Sequence, residues 1–183
     1  MDLFEVIQTR KSVRKYIDKP VETKKIEQVM TAAQLAPSWR NGQCWKFIVV
    51  NDPQKKKELI RCTGTFNMSW LGKEHAIIVA CGNPEQSGFR NDKYYYMVDV
   101  AIAMENLVLA ATALGLGTCW IGAFDEKKMK ALLNIPQNFR IVAITPLGYP
   151  AKKEGVAGQI ARKVIRSKKR KILSEVYSMN NWE

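Results

Sequence analysis

Residues 10–14, Arg-Lys-Ser-Val-Arg, place two guanidiniums and a hydroxyl at alternate positions. In extended backbone, alternate side chains share one side, so Arg10, Ser12 and Arg14 face one way and Val13 the other. Two forked cations and a hydroxyl donor suit a phosphate. A surface turn carrying incidental charge is the other reading. A second cluster, Ala-Pro-Ser-Trp-Arg-Asn-Gly-Gln-Cys-Trp at 36–45, crowds Ser38, Arg40, Asn41 and Gln43 between Trp39 and Trp45. The third is Lys168-Lys169-Arg170, inside a run (162–171) with seven basic residues and no acidic one. By composition alone, that run is equally a solvated basic tail.

Common catalytic arrangements are missing. The single histidine, His75, adjoins a strand-like run with no nucleophile nearby in sequence, and reads as structural. There is no GxSxG elbow, HExxH pair or GxxxxGK[ST] loop. Gly-Leu-Gly-Thr-Cys-Trp-Ile-Gly (115–122) follows a helix and precedes a strand, the reverse of the dinucleotide-binding order. Cys44, Cys62, Cys81 and Cys119 form no CxxC pair and, with one histidine, supply no zinc-ligand spacing. An enzyme with this inventory would leave its chemistry to a cofactor.

The elements that position these residues follow from periodicity. Asp2 caps a first helix reaching about Arg10, with Leu3, Val6 and Ile7 on one face. Thr23 opens a second, with Ile26, Val29, Met30 and Ala33 at helical spacing and Pro37 marking its end. Trp45–Val50 reads as a strand, Asp52-Pro53 as a turn, and 54–62 as a short polar helix. Residues 76–82, Ala-Ile-Ile-Val-Ala-Cys-Gly, form a strand buried on both faces. Asn83–Asn91 reads as a loop. A long helix from Met97 runs to Gly115 and Gly117. Thr118–Phe124 is extended, Asp125 starts another helix, 139–150 is a strand, and a short helix or strand falls at 171–179. The result is an α/β or α+β domain with a sheet between helices. The long helix is apolar on more faces than one sheet covers, which implies a dimer burying the other side or else a central core helix.

At 183 residues the chain is one domain by length, with 46% hydrophobic and 25% charged residues. The net charge of +12 suits nucleic acid, anionic lipid or a phosphorylated cofactor. A nucleic-acid-binding module would interleave basic residues with aromatics, which 162–171 lacks. The most apolar run, Met97–Leu114, is interrupted by Asp99, Glu105 and Asn106, so it reads as a buried helix and not a membrane span. The expectation is a reduced, cytoplasmic, soluble protein with no membrane or nucleic-acid partner.

In order along the chain, these segments resemble the nitroreductase family of FMN-dependent oxidoreductases. Arg-Lys-Ser-Val-Arg-x-Tyr (10–16) is similar to its N-terminal signature, and residues 36–50 to its second motif. Residues 99–118 resemble its dimer-forming helix. Cys-Trp-Ile-Gly-x-Phe-Asp (119–125), Ile-Pro (135–136), Leu-Gly-Tyr-Pro (147–150) and Lys-x-Arg (168–170) complete the pattern.

The resemblance implies an α+β fold, a central, mostly antiparallel sheet flanked by helices, in an intertwined homodimer. A single domain would span 1–183, its basic segment 162–183 contributing to the FMN site and the dimer. Arg10, Ser12, Lys168 and Arg170 would hold the FMN phosphate and ribityl chain, with Lys11 through its backbone. Arg14 would approach the pyrimidine end of the ring. Pro37, Ser38, Trp39 and Asn41 would reach the partner subunit's flavin. Trp120, Ile121, Gly122 and Ala123 would lie against the ring, a backbone N–H of Gly122 or Ala123 facing N5. Asn67 or Lys73 would touch the flavin. NADH or NADPH would be the reductant and a nitroaromatic, quinone or similar small molecule the acceptor, in a ping-pong exchange. A specialised flavin enzyme of the same fold, cleaving its flavin or dehalogenating an aromatic, is the alternative.

Two departures stand out. Cys44 replaces the usual proline before Trp45. Only Asn83–Tyr96 fills an interval where larger members carry a helical excursion, which implies a more open pocket. Trp39, Phe66 and Trp70 could line the substrate side, whereas Trp45 anchors its strand in the core.

Overall fold

Aspartates start three of the helices by accepting a free first-turn N–H: Asp2 from Glu5 at 2.9 Å, Asp52 from Lys55 at 2.7 Å and Asp125 from Lys128 at 3.0 Å. Pro53, at the first helical position after Asp52, gives up a donor that has no helical acceptor. The computed structural model describes residues 1–153, 155, 159–160 and 170–182. In chain order its elements are α1 (Leu3–Thr9), α2 (Thr23–Gln34), β1 (Trp45–Val50), α3 (Pro53–Arg61), α4 (Thr65–Met68), β2 (Ala76–Gly82), β3 (Phe89–Arg90), β4 (Lys93–Tyr94), α5 (Tyr95–Ala113), β5 (Gly117–Thr118), α6 (Glu126–Leu133) and β6 (Arg140–Gly148). A 3-10 turn, Leu173–Glu175, is the regular structure described in the tail.

The sheet order is β1-β2-β6-β5, every neighbouring pair antiparallel. β2 is buried at every residue, as its unbroken apolar run predicts. Its side chains alternate between two cores. Ile78 and Ala80 face α2 and α5 together with Val29, Ala33, Met104 and Leu107. Ile77, Val79 and Cys81 face the opposite layer, with Leu59 of α3 and Met129 of α6. Each fully buried Leu, Ile or Met contributes about 1.5–3 kcal/mol of transfer free energy. The α+β class with a helix-flanked antiparallel sheet is therefore as expected.

α5 buries Val100, Ala103, Met104, Leu107 and Ala111 and leaves Met97, Val98 and Ile102 exposed. It is long and apolar enough to cross a membrane, but Asp99 and its packing on α2 and β2 make it a core helix. Two expectations change. The Asn83–Asn91 loop contains a 3-10 turn (Pro84–Gln86) and the start of a β3–β4 hairpin, and α5 begins at Tyr95, ahead of Met97. On α1 only Val6 is buried; Leu3, Phe4 and Ile7 are exposed, so that helix has an apolar side that this chain alone does not cover.

Candidate active site

The 10–16 segment runs extended along the sheet edge. Ser12 forms a parallel bridge with Thr118, and Val13 N–H donates to the Thr118 carbonyl at 2.8 Å. Val13 packs over Gly117, where a Cβ would sit 2.9 Å from the valine side chain, so this close approach needs glycine. With Val13 turned inward, Arg10, Ser12 and Arg14 remain partly exposed, and Lys11 is exposed. The three polar residues gather around Cys119. Burial pushes that thiol's pKa up, while Arg14, the Ser12 hydroxyl and Arg10 act in the opposite sense. Tyr16, buried beneath, donates its hydroxyl to the Val13 carbonyl at 2.8 Å and fixes the segment's far end.

The chain after β5 stays at this edge. Cys119 N–H donates to Thr145 Oγ1 at 3.1 Å, Ile121 exchanges backbone hydrogen bonds with Ile144 at 2.9 and 3.0 Å, and Asp125 N–H reaches the Cys62 carbonyl at 2.8 Å. Trp120, Gly122 and Ala123 are exposed between those ties. The backbone N–H groups of Gly122 and Ala123 have no acceptor among the described residues. A Cβ on Gly122 would meet nothing, so the backbone there borders open space. Ile121 differs: its side chain is buried in the core cluster, leaving only its backbone at the edge. Thr63 bridges Phe124, which puts α4 beside this arm; its Asn67 is half-buried and Phe66 exposed. Lys73 is exposed. Trp70, not among the flavin contacts expected from sequence, has a buried indole N–H without an acceptor among the described residues.

The 36–45 connection is organised from below by Asp99. One carboxylate oxygen accepts the Trp39 N–H at 2.9 Å; the other accepts the Ser87 hydroxyl at 2.7 Å and the Cys44 thiol at 3.6 Å. Ser38 Oγ accepts Gln43 N–H at 3.0 Å, and Asn41 N–H reaches the Ser38 carbonyl at 3.0 Å. Arg40, Asn41 and Gln43 all hold left-handed backbone, with φ of 49°, 58° and 45°. Such conformations cost about 1 kcal/mol or more apiece and persist where surrounding contacts over-determine them. Pro37 and Asn41 are exposed and Ser38 and Trp39 half-buried. Cys44 is wholly buried, its pKa pushed up to about 12 by burial and then by the Asp99 charge. Trp45 packs against the core, as expected. Asp99 is the site residue that sequence reading missed; its signal was a carboxylate interrupting an apolar helix.

These two clusters lie at opposite edges of the sheet, the Arg10–Arg14 segment against β5 and the Ser38–Asn41 turn leading into β1. The register sets Trp45 opposite Gly82 and Gly82 opposite Arg140, whereas Thr118 pairs with Leu147, opposite Ala76. The six steps of β2 between those ends span about 20 Å. Arg10, Ser12 and Arg14 thus lie toward the Ala76 end; the Trp120–Ala123 arm continues along the same edge, with Ile121 paired to Ile144 opposite Val79; and Pro37, Ser38, Trp39 and Asn41 lie at the Gly82 end, beyond the opposite edge strand β1. Lys168 lies outside the described residues; Arg170 is exposed.

A sequence profile described as "Nitroreductase family" matches residues 7–63 and 63–149. The chain is 39% identical over 153 residues to an Archaeoglobus fulgidus protein provisionally named NADH dehydrogenase/NAD(P)H nitroreductase, covering 81% of this chain and 86% of the relative. A nitroreductase family protein from Clostridium novyi NT superposes with a TM-score of 0.79 at 42% identity, covering 83% of this chain and 87% of the other. An FMN-dependent nitroreductase from Clostridium difficile R20291 superposes with a TM-score of 0.74 at 27% identity, over 98% and 99% of the two chains. Profile, sequence and fold agree with the motifs read along the chain: it belongs to the nitroreductase family.

Proposed function

We propose that the protein is an FMN-dependent NAD(P)H oxidoreductase acting on nitroaromatic, quinone or similar small acceptors, as a homodimer with two shared sites. The observation that carries this reading is the division of the polar clusters between opposite edges of one chain's sheet. A two-fold partner lying against the exposed face of α5 would bring the Ser38–Asn41 end of one chain to the Arg10–Ala123 edge of the other.

The donor set fits FMN. Arg10 and Ser12 would hold the phosphate, with Lys168 and Arg170 closing on it from the tail, and Lys11 offering its backbone N–H. Arg14 places a fixed positive charge where the pyrimidine end of the ring would lie, which favours negative charge there. The unsatisfied N–H groups of Gly122 and Ala123 would face N5, and Trp120, with the backbone of Ile121, would border the ring. Asn67 would add a hydrogen bond from α4. The partner's loop would bring Pro37, Ser38, Trp39 and Asn41 over the opposite side. When bound, FMN supplies hydride acceptance and donation at N5. The protein's part is position, charge and exclusion of water. Four free cysteines fit a reducing compartment such as the cytoplasm.

The test is the visible spectrum of the purified chain. A flavin band from about one FMN per chain, bleached by NADH or NADPH and restored by a nitroaromatic or quinone, is expected. A chain that stays colourless after incubation with FMN contradicts the reading.

A further inference from the structure

A recess of about 600 Å³ opens between the Trp39–Asn41 turn and the β3–β4 hairpin, lined by Trp39, Arg40, Ser87, Gly88, Phe89 and Arg90. Its floor is fixed. The Trp39 indole lies over Gly88, where a Cβ would come within 2.3 Å of the ring, and packs on Tyr95 with ring centroids 4.5 Å apart. Asp99 holds the Trp39 backbone from beneath and, through Ser87, the chain just before Gly88. Phe89, which also lines the recess, is 57% exposed and tilted against Tyr94 with ring centroids 4.6 Å apart.

Two cations stand at this recess. The Arg40 guanidinium carbon lies 6.0 Å from the Trp39 ring, on a turn whose backbone at Arg40 is left-handed. Arg90 is exposed on β3. Neither has a carboxylate partner among the described residues, and no acidic side chain lines the recess. Flat apolar surfaces beside unpaired guanidiniums recognise one chemistry: a planar aromatic group carrying an anion. The ring stacks, and the anion takes charge-assisted, forked hydrogen bonds.

We propose that this recess is a specificity site for an anionic aromatic group, with Arg40 and Arg90 as the residues that select the charge. The inference rests on the oxidoreductase reading, which makes the occupant one of its two substrates. The 2′-phosphoadenosine end of NADPH and a carboxylated aromatic acceptor both present this chemistry.

Calorimetric titration of the purified protein with paired probes tests it. The pairs are adenosine 2′-monophosphate against adenosine, and 4-nitrobenzoate against nitrobenzene. The wild-type chain is expected to prefer the anion about tenfold or more in at least one pair. Arg40→Gln and Arg90→Gln each reduce that preference several-fold, and the double variant brings it close to unity. Preference within the first pair identifies the dinucleotide as occupant; within the second, the acceptor. Lys57→Gln, which removes an equal charge from the exposed side of α3, leaves the preference as it was. A wild-type ratio near one in both pairs overturns the proposal. So does a ratio that survives both arginine changes, or one that falls equally with Lys57→Gln. The visible spectrum of the same samples reports the flavin separately, so failure of the oxidoreductase reading is distinguishable from failure of this one.

Discussion

Arg14 and the buried thiols show how single residues are tuned by where the chain puts them. Arg14 shares the Cys119 neighbourhood with Ser12 and Arg10 and stays partly exposed. Arg14→Ala is expected to weaken FMN binding about tenfold and slow reduction by NAD(P)H; unchanged reduction kinetics contradict its role. Cys44 and Cys81 have pKa values pushed up to about 12, chiefly by burial. The folded state then holds protons that the unfolded thiols release above their ordinary value of about 8.5. Stability from these groups is complete below that pH and declines as pH rises toward 12, at up to about 1.4 kcal/mol per unit per thiol. Urea midpoints measured from pH 8 to 11 should fall, and fall less steeply in a Cys44→Ala, Cys81→Ala double variant. An equal slope in both contradicts this assignment. Arg10, Ser12 and Arg14 were legible because alternation in an extended segment assigns sides. Asp99 was legible only as a polar interruption of an apolar helix, because its partners at 39, 44 and 87 lie outside that helix in sequence.

At the scale of elements, the Trp39 turn, the start of β1 and the Ser87 segment form one unit through Asp99. Asp99→Ala leaves the Trp39 N–H and the Ser87 hydroxyl without their acceptor, and a loss of about 2–4 kcal/mol in denaturant unfolding is expected. The near-UV circular dichroism of Trp39 should change with it. A loss below about 0.5 kcal/mol would mean that the carboxylate does not organise the turn. The helices capped by Asp2 and Asp125 were readable because each aspartate precedes a helical pattern, whereas Asp52-Pro53 reads as a turn and is the cap and first residue of α3. The β3–β4 hairpin was not. Its strands are two residues long, too short to show alternation, and its turn is Asn91-Asp92 with φ of 50° and 57° in place of the stronger Asn-Gly signal.

For the whole molecule, the sequence pattern conveyed that α5 has more apolar surface than one sheet covers, and Met97, Val98 and Ile102 are exposed accordingly. Periodicity reports that such a face exists but carries no information about what meets it, so the proposal of a shared site came from the family likeness. The separation of the two polar clusters across the sheet, from the β1 edge to the β5 edge, then gives that likeness a geometric reason. Ile102→Glu, placing charge on the uncovered face, is expected to yield single chains that have lost FMN; a flavin-loaded dimer would argue against α5 as the interface. The most direct test of the central claim is sedimentation of the wild-type protein followed at both the protein and the flavin absorption bands. Flavin is expected to travel with a two-chain species, about one FMN per chain, and its band to bleach on adding NAD(P)H. Flavin that sediments alone, or with a single chain, would contradict it.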